Sequence, residues 1–237
     1  MLVAAAVCPC PPLLVPEVAA GAAPELDALR NACADALGVL AAARPDLLIV
    51  IGPADEAGRG PHPEGSTGTF EGFGVGLGVR LGRDLGPVAD RRLPPSLAVG
   101  AWLLTRARWA GAPVEGLGVG EPLGTERCAS TGRDLAAGAD RVALLVMGDA
   151  SACRTVKAPG YLDDRAEAFD AAAARALGAA DLDALIALDE SLAYELKAAG
   201  RAPWQVLAGA AEGARLGGQL LYEDAPYGVG YLVAAWS

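Results

Sequence analysis

Short apolar runs alternate with segments of helical periodicity along most of the chain. The runs "LVAAAV" (2–7), "DLLIVIG" (46–52) and "RVALLVMGD" (141–149) are typical of parallel strands that are covered on both faces. Between the first two runs, apolar residues recur every three or four positions, at Leu26, Leu29, Cys33, Leu37 and Leu40. This spacing predicts a helix whose apolar stripe, Cys33 included, packs into the core.

The rest of the chain continues the alternation. A helix over 95–111 precedes a strand over 113–120, and a helix from about 124 to 137 precedes the run at 141–149. Further helical segments are predicted at 162–177, 181–198 and 203–215, before a final strand pair at 219–224 and 228–236. Together these elements predict a single α/β domain over residues 1–237. Its central sheet is mostly parallel, flanked by helices, with a C-terminal antiparallel strand pair.

One further segment, "GFGVGLGVRLG" (72–82), alternates strictly between apolar residues and mostly glycine. The pattern predicts a half-exposed strand. Its glycine face fits two interpretations that the sequence leaves open. Either a ligand or another backbone approaches it closely, or it is an edge strand with little to pack against.

Composition and charge exclude several classes of protein. With 53% hydrophobic and 20% charged residues, the chain is globular, not disordered. A net charge of −10 without any basic cluster argues against nucleic-acid binding. No apolar run approaches the roughly 18 residues of a membrane-spanning helix. Five cysteines, an odd number in a chain of this length, favour a reducing compartment and therefore the cytoplasm.

Three of the predicted strands end in distinctive segments: "CPCPPLL", "GPADEAG" and "MGDASACRT". With "AAGRAPWQVLAGA" (198–210) and "APYGVGYLVAAW" (225–236), they resemble the class III extradiol ring-cleavage dioxygenase family, in its LigB-like branch, which shares a fold with the Memo proteins. The resemblance runs in order along nearly the whole chain, and "PPLLVPE" and "GDASACRTVKAPGYLDDRAEAFD" are its most specific parts. It implies a LigB/Memo-like fold, a ferrous iron or zinc cofactor, and oxidative opening of catechol-like rings.

The resemblance also implies that the metal site has changed. In the family, histidines at the positions of Cys10 and Ala54 bind the metal, and a Glu or Cys at the position of Ala199 completes the ligand set. A further His, at the position of Ala152, acts as acid or base. Alanine methyl groups cannot donate to a metal, and the single histidine of the chain, His62, excludes a two-histidine site within one chain. We therefore expect an inactive relative without a cofactor, which binds a small molecule or a protein partner.

Two alternatives stay open from the residues alone. The first is an active extradiol-type oxidoreductase with a non-standard metal site, built from Cys10, Asp55, His62 and Cys153 or completed by another subunit of a homo-oligomer. The second is a thiol-based redox protein centred on Cys10 or Cys153, with a thiol pKa lowered by Arg154 or a helix N-terminus.

Residues near the predicted strand ends are candidates for ligand binding: Cys10, Asp55, Asp149, Cys153 and Tyr227. Asp149 either accepts backbone N–H bonds in its turn or contacts a ligand. Tyr227 either lines a pocket or packs behind the last strands. His62 lies between two prolines and is expected to be exposed to solvent. Arg154 and Lys157 either attract an anionic ligand or are solvated.

Overall fold

A mixed sheet of seven strands forms the centre of the computed structural model, which describes residues 1–86 and 91–237. The strands of this sheet and of a small second sheet are β1 (Leu2–Cys8), β2 (Leu47–Pro53), β3 (Gly60–His62), β4 (Thr67–Thr69), β5 (Gly78–Arg80), β6 (Val114–Val119), β7 (Val142–Met147), β8 (Gly218–Asp224) and β9 (Tyr231–Trp236). The large sheet has the order β3-β6-β2-β7-β1-β9-β8, and β4 pairs with β5 in the small one. The four strands β6, β2, β7 and β1 are parallel, whereas the outer strands run antiparallel to their neighbours. The predicted fold class is therefore confirmed, including the C-terminal antiparallel pair.

Helices cover both faces of the sheet. They are α1 (Pro16–Ala19), α2 (Asp27–Ala42), α3 (Pro95–Arg106), α4 (Thr125–Ala136), α5 (Ala166–Ala179), α6 (Leu182–Ile186), α7 (Glu190–Glu195) and α8 (Arg201–Ala210). Short 3₁₀ turns occur at Pro12–Leu14, Ala20–Leu26, Glu56–Gly58 and Glu71–Phe73. Helices α2 and α3 pack on one face, and α4, α5 and α8 on the other. Within the described residues, no helix is both long enough and apolar enough to cross a membrane.

The central strands are buried on both sides, as their apolar runs predict. In β7, Val142, Leu144 and Val146 face one helical layer, whereas Ala143, Leu145 and Met147 face the other. The predicted apolar stripe is buried as well: Leu26 ends the 3₁₀ turn before α2, the other four residues lie on α2, and each of the five is at most 2% exposed. Two separate apolar layers therefore pack against the two faces of the sheet, and loops follow the ends of its strands.

The strand order places a crevice at the carboxyl ends of the parallel strands. β7 lies between β1 and β2, although it follows both in the chain. The connections through α2 and α3 run over one face, and the return from β6 to β7 runs through α4 on the opposite face. Such a change of direction separates the loops that follow neighbouring strands, and ligand sites of open α/β sheets form there.

The strand predicted over 72–82 is mostly wrong. Only Gly78–Arg80 is a strand, and it pairs with β4. Residues 71–73 form a 3₁₀ turn, which ends at Gly74 with a φ of +81°. This left-handed conformation suits glycine and breaks the strand, although Leu81 is fully buried as the alternation indicates.

The predicted exposure of His62 is wrong as well. His62 ends β3, is 1% exposed, and pairs with Gly116 of β6. Its Nε2 lies 2.9 Å from the carbonyl oxygen of Gly58. Burial lowers the pKa of the His62 imidazole below its ordinary value. The flanking prolines are compatible with this short edge strand because an edge strand leaves some backbone groups unpaired.

Candidate functional site

A cavity of about 780 Å³ opens at the carboxyl ends of β1, β2 and β6. Cys10 after β1, Ala54 and Asp55 after β2, and Glu121 after β6 all line it. The segment between α7 and α8 closes one side, where Ala199 contributes to the wall. Its volume falls in the range of small-molecule sites, and it lies where the strand order predicts a ligand.

Three of the four positions singled out by the family resemblance share this cavity. Cys10, Ala54 and Ala199 come from segments far apart in sequence and line the same space. The fourth, Ala152, is not part of the cavity lining. Its backbone N–H donates a 2.9 Å hydrogen bond to the carbonyl oxygen of Leu196.

Close backbone contact brings the Ala199 segment to the strand ends. The N–H of Gly200 donates a 2.8 Å hydrogen bond to the carbonyl oxygen of Asp149. A Cβ atom on Gly148 would lie 2.5 Å from the Cα of Gly200, so no side chain fits there. Glycine at position 148 therefore allows the loop before α8 to rest directly on the end of β7, and glycine at position 200 leaves room for the ring of Trp204.

Among the positions singled out by the resemblance, Cys10 is the one whose side chain carries an atom that can bind a metal. Only 8% of the residue is exposed. Burial raises the pKa of the Cys10 thiol well above its ordinary value, and the charge of Asp149 raises it further. A thiol with a raised pKa is protonated at neutral pH, so it is a poor nucleophile.

Asp149 is hydrogen-bonded to the backbone of Cys10, a residue that lines the cavity. Its Oδ1 accepts a 2.8 Å hydrogen bond from the N–H of Cys10. Burial raises the pKa of the Asp149 carboxyl to about 6, although the bond from Cys10 lowers it. This carboxylate connects the turn after β1 to the end of β7 and does not line the cavity.

The remaining candidates lie outside the cavity. The Cys153 thiol is buried and lies 3.5 Å from the carbonyl oxygen of Leu196. Burial raises the pKa of this thiol too, contrary to the lowered pKa expected beside Arg154. Tyr227 donates a 2.9 Å hydrogen bond from its hydroxyl to Glu25 Oε2 and packs against the layer that contains α2.

The alternative metal set is not assembled. In residues 1–86 and 91–237, no three His, Cys, Asp or Glu side chains lie together closely enough to hold an ion. Cys10 and Asp55 line the cavity, but His62 and Cys153 contact backbone carbonyl groups elsewhere. The lining contains carboxylates and one thiol but no described imidazole, whereas ferrous iron in such oxygenases is bound by two imidazoles and one carboxylate.

Several charged residues that line the cavity are not identified by the sequence analysis. Arg59 and Lys197 line the cavity, whereas the cations considered from the sequence, Arg154 and Lys157, do not. Arg154 pairs instead with Asp170, whose side chain is 1% exposed, at 3.2 Å. The side chains of Arg59 and Lys197 pack over Gly120 and Gly160, and these two glycines are only a weak sequence signal for the two cations.

Ser151 shares that buried carboxylate. Its N–H and hydroxyl each donate a 2.8 Å hydrogen bond to Asp170. The loop that follows β7 is therefore held by the carboxylate of Asp170, which accepts hydrogen bonds from the N–H and hydroxyl of Ser151 and from Arg154.

Fold and site define an α/β domain with a ligand-sized cavity at its strand ends. No model of a known protein family matches the sequence, and no curated protein matches it. Solved structures do match. The crystal structure of the uncharacterized protein JW3007 from Escherichia coli K12 is similar over 99% of both chains, with 16% sequence identity and a TM-score of 0.56. At that identity, the likeness establishes a shared fold.

Proposed function

We propose that this protein binds a small molecule in the strand-end cavity without a metal, as an inactive relative of the LigB-like extradiol dioxygenases. One observation carries the proposal. Cys10, Ala54 and Ala199, the positions at which the resemblance places metal ligands, line one cavity of ligand size and offer one buried thiol and two methyl groups. The cavity is thus retained, and the donors are lost.

The chemistry of the donors argues against the iron alternative. Extradiol cleavage requires an open iron site on which substrate and dioxygen bind side by side. The single histidine is buried in β3, with its Nε2 against the carbonyl oxygen of Gly58. Among the described residues that line the cavity, none carries an imidazole.

A redox function centred on a thiol has less support than binding. The thiols of Cys8, Cys10, Cys128 and Cys153 all have a pKa raised by their surroundings. All five cysteines are free and buried. Free thiols fit the proposed location in a reducing compartment such as the cytoplasm.

Ligand-observed NMR with a library of small neutral and charged fragments tests the proposal. Binding to the wild type should be lost in Ala199→Trp, because the indole fills the cavity that Ala199 lines. Ala137→Trp, at an exposed position after α4, is the matched control and should bind as the wild type does. If no fragment binds, or if Ala199→Trp binds the same fragments as the wild type, the proposal is wrong.

A further inference from the structure

We infer that the ligand of the strand-end cavity carries an anionic group, a carboxylate or a phosphate, which contacts Arg59 and Lys197. This inference rests on the proposed function. Both cations line the cavity, on different walls, and come from segments far apart in the chain.

The side chain of Arg59 lies along the wall of the cavity. A Cβ atom on Gly120 would come within 2.5 Å of Arg59 Nε and 3.0 Å of its Cδ, so the side chain lies over this glycine. Arg91 donates hydrogen bonds to the carbonyl oxygens of Arg59 and Ala57, which fixes the backbone beneath it. Among the described residues, no carboxylate forms an ion pair with Arg59.

Lys197 is held in a similar way on the other wall. Its backbone has a φ of +56°, and its N–H donates a 3.1 Å hydrogen bond to the carbonyl oxygen of Tyr194. A Cβ atom on Gly160 would lie 3.1 Å from Lys197 Cδ, so the aliphatic part of the lysine also packs over a glycine. Its ammonium group forms no ion pair in the part of the chain that the structure describes.

The acidic residues of the lining are mostly engaged elsewhere. Asp55 Oδ1 accepts a 2.9 Å hydrogen bond from the N–H of Gly58, and Glu195 Oε2 accepts one of 2.7 Å from Arg165. Glu195 is thus paired with a cation, Asp55 accepts only a neutral backbone N–H, and the carboxylate of Glu121 accepts no hydrogen bond from a described residue. The formal charge of the lining is therefore not positive, but among the described residues the charged groups of Arg59 and Lys197 are two donors without an acceptor. A ligand carboxylate or phosphate would accept charge-assisted hydrogen bonds from both side chains.

The same fragment library tests the inference when each anion is paired with its neutral counterpart. One arm contains carboxylates with their primary amides, and the other contains organic phosphates with their alcohols. Among fragments that bind the wild type and not Ala199→Trp, we expect the anions to bind about tenfold more tightly than their counterparts, as charge-assisted hydrogen bonds do. The arm with the tighter binders identifies the anionic group.

Charge-removing variants then locate the contact. Arg59→Gln and Lys197→Gln should each weaken the best anion about tenfold and leave its neutral counterpart within about twofold. Arg127→Gln and Lys157→Gln remove exposed cations that lie outside the cavity lining and should have no effect. Equal affinities within the pairs, or equal binding of the best anion by wild type and the two cavity variants, would overturn the inference but leave the proposed function standing. Absence of any fragment sensitive to Ala199→Trp would overturn both.

Discussion

The backbone N–H of Cys10 donates a 2.8 Å hydrogen bond to the carboxylate of Asp149, which joins the turn after β1 to the end of β7. The two strands are neighbours in the parallel sheet, and Asp149 also accepts the N–H of Gly200 on its carbonyl oxygen. One residue therefore contacts the two segments that bring Cys10 and Ala199 to the cavity. Its first role is structural.

Asp149 should make the stability of the protein depend on pH. Its folded-state pKa of about 6 lies above its ordinary value of 3.8. The folded protein thus binds this proton more tightly than the unfolded chain, so the stabilisation is present at low pH and is lost as pH rises from about 4 to 6. Asp149→Asn keeps an oxygen for Cys10 and cannot ionise. At pH 7 its free energy of unfolding should exceed that of the wild type by up to about 3 kcal/mol.

Urea unfolding of both proteins at pH 7 and pH 4.5 measures this effect. The difference between them should shrink at the lower pH, where the wild-type carboxyl is mostly protonated in the folded state. Other carboxyl groups with shifted pKa values, such as Asp170 and Asp163, are common to both proteins and cancel. A difference that is the same at both pH values would contradict the raised pKa of Asp149.

The thiols should react slowly with alkylating reagents at pH 7. Burial contributes to the raised pKa of Cys8, Cys10, Cys128 and Cys153, and all five cysteines are buried. In the native protein, mass spectrometry after iodoacetamide treatment should find no cysteine that reacts much faster than the rest. Cys10→Ser should also leave fragment binding nearly unchanged. A single fast thiol at Cys10 would support the redox alternative instead.

Asp170 should contribute strongly to stability. It accepts hydrogen bonds from the N–H and the hydroxyl of Ser151 and from Arg154. Asp170→Ala leaves the buried donors of Ser151 without an acceptor and should cost roughly 3 kcal/mol in urea unfolding. Asp134→Ala, at an exposed position on α4, should change stability by less than about 0.5 kcal/mol. Equal effects of the two variants would show that the Asp170 cluster does not stabilise the loop after β7.

The sequence predicts the sheet well where burial on both faces determines it. The runs at 2–7, 46–52 and 141–149 become β1, β2 and β7 within two residues, because apolar side chains on both faces fit only a covered strand. The C-terminal pair follows from two apolar segments separated by a turn. Alternation fails over 72–82, where glycine allows a left-handed turn at Gly74 that the apolar pattern does not reveal.

The site is predicted less completely. The resemblance identifies Cys10, Ala54 and Ala199, which the fold brings together. It does not identify Arg59 or Lys197, because a cation on a loop has no periodicity and its partners lie far away in sequence. His62 is mispredicted for a related reason: its pairing with Gly116 joins segments more than 50 residues apart, and the adjacent prolines suggest a loop.

Placing metal donors at the three positions singled out by the resemblance should create a metal site. The variant Cys10→His, Ala54→His, Ala199→Glu places two imidazoles and a carboxylate on the cavity lining, the ligand set that suits ferrous iron and zinc. After dialysis against Zn²⁺, elemental analysis should find about one ion per chain, as expected for a three-ligand zinc site. The control Cys10→His, Ala137→His, Ala179→Glu has the same donors at scattered positions and should retain far less. If the two variants retain equal amounts, the alignment with the family is wrong.

Metal binding by the wild-type protein tests the central claim most directly. The protein is purified without chelator, equilibrated under anaerobic conditions with Fe²⁺ or with Zn²⁺, dialysed and analysed for metal. We expect far less than one ion per chain, since the positions at which the resemblance places metal ligands hold a thiol and two methyl groups, and no three potential ligands lie together among the described residues. One tightly held ion per chain, lost when Cys10 and Asp55 are replaced, would contradict the account.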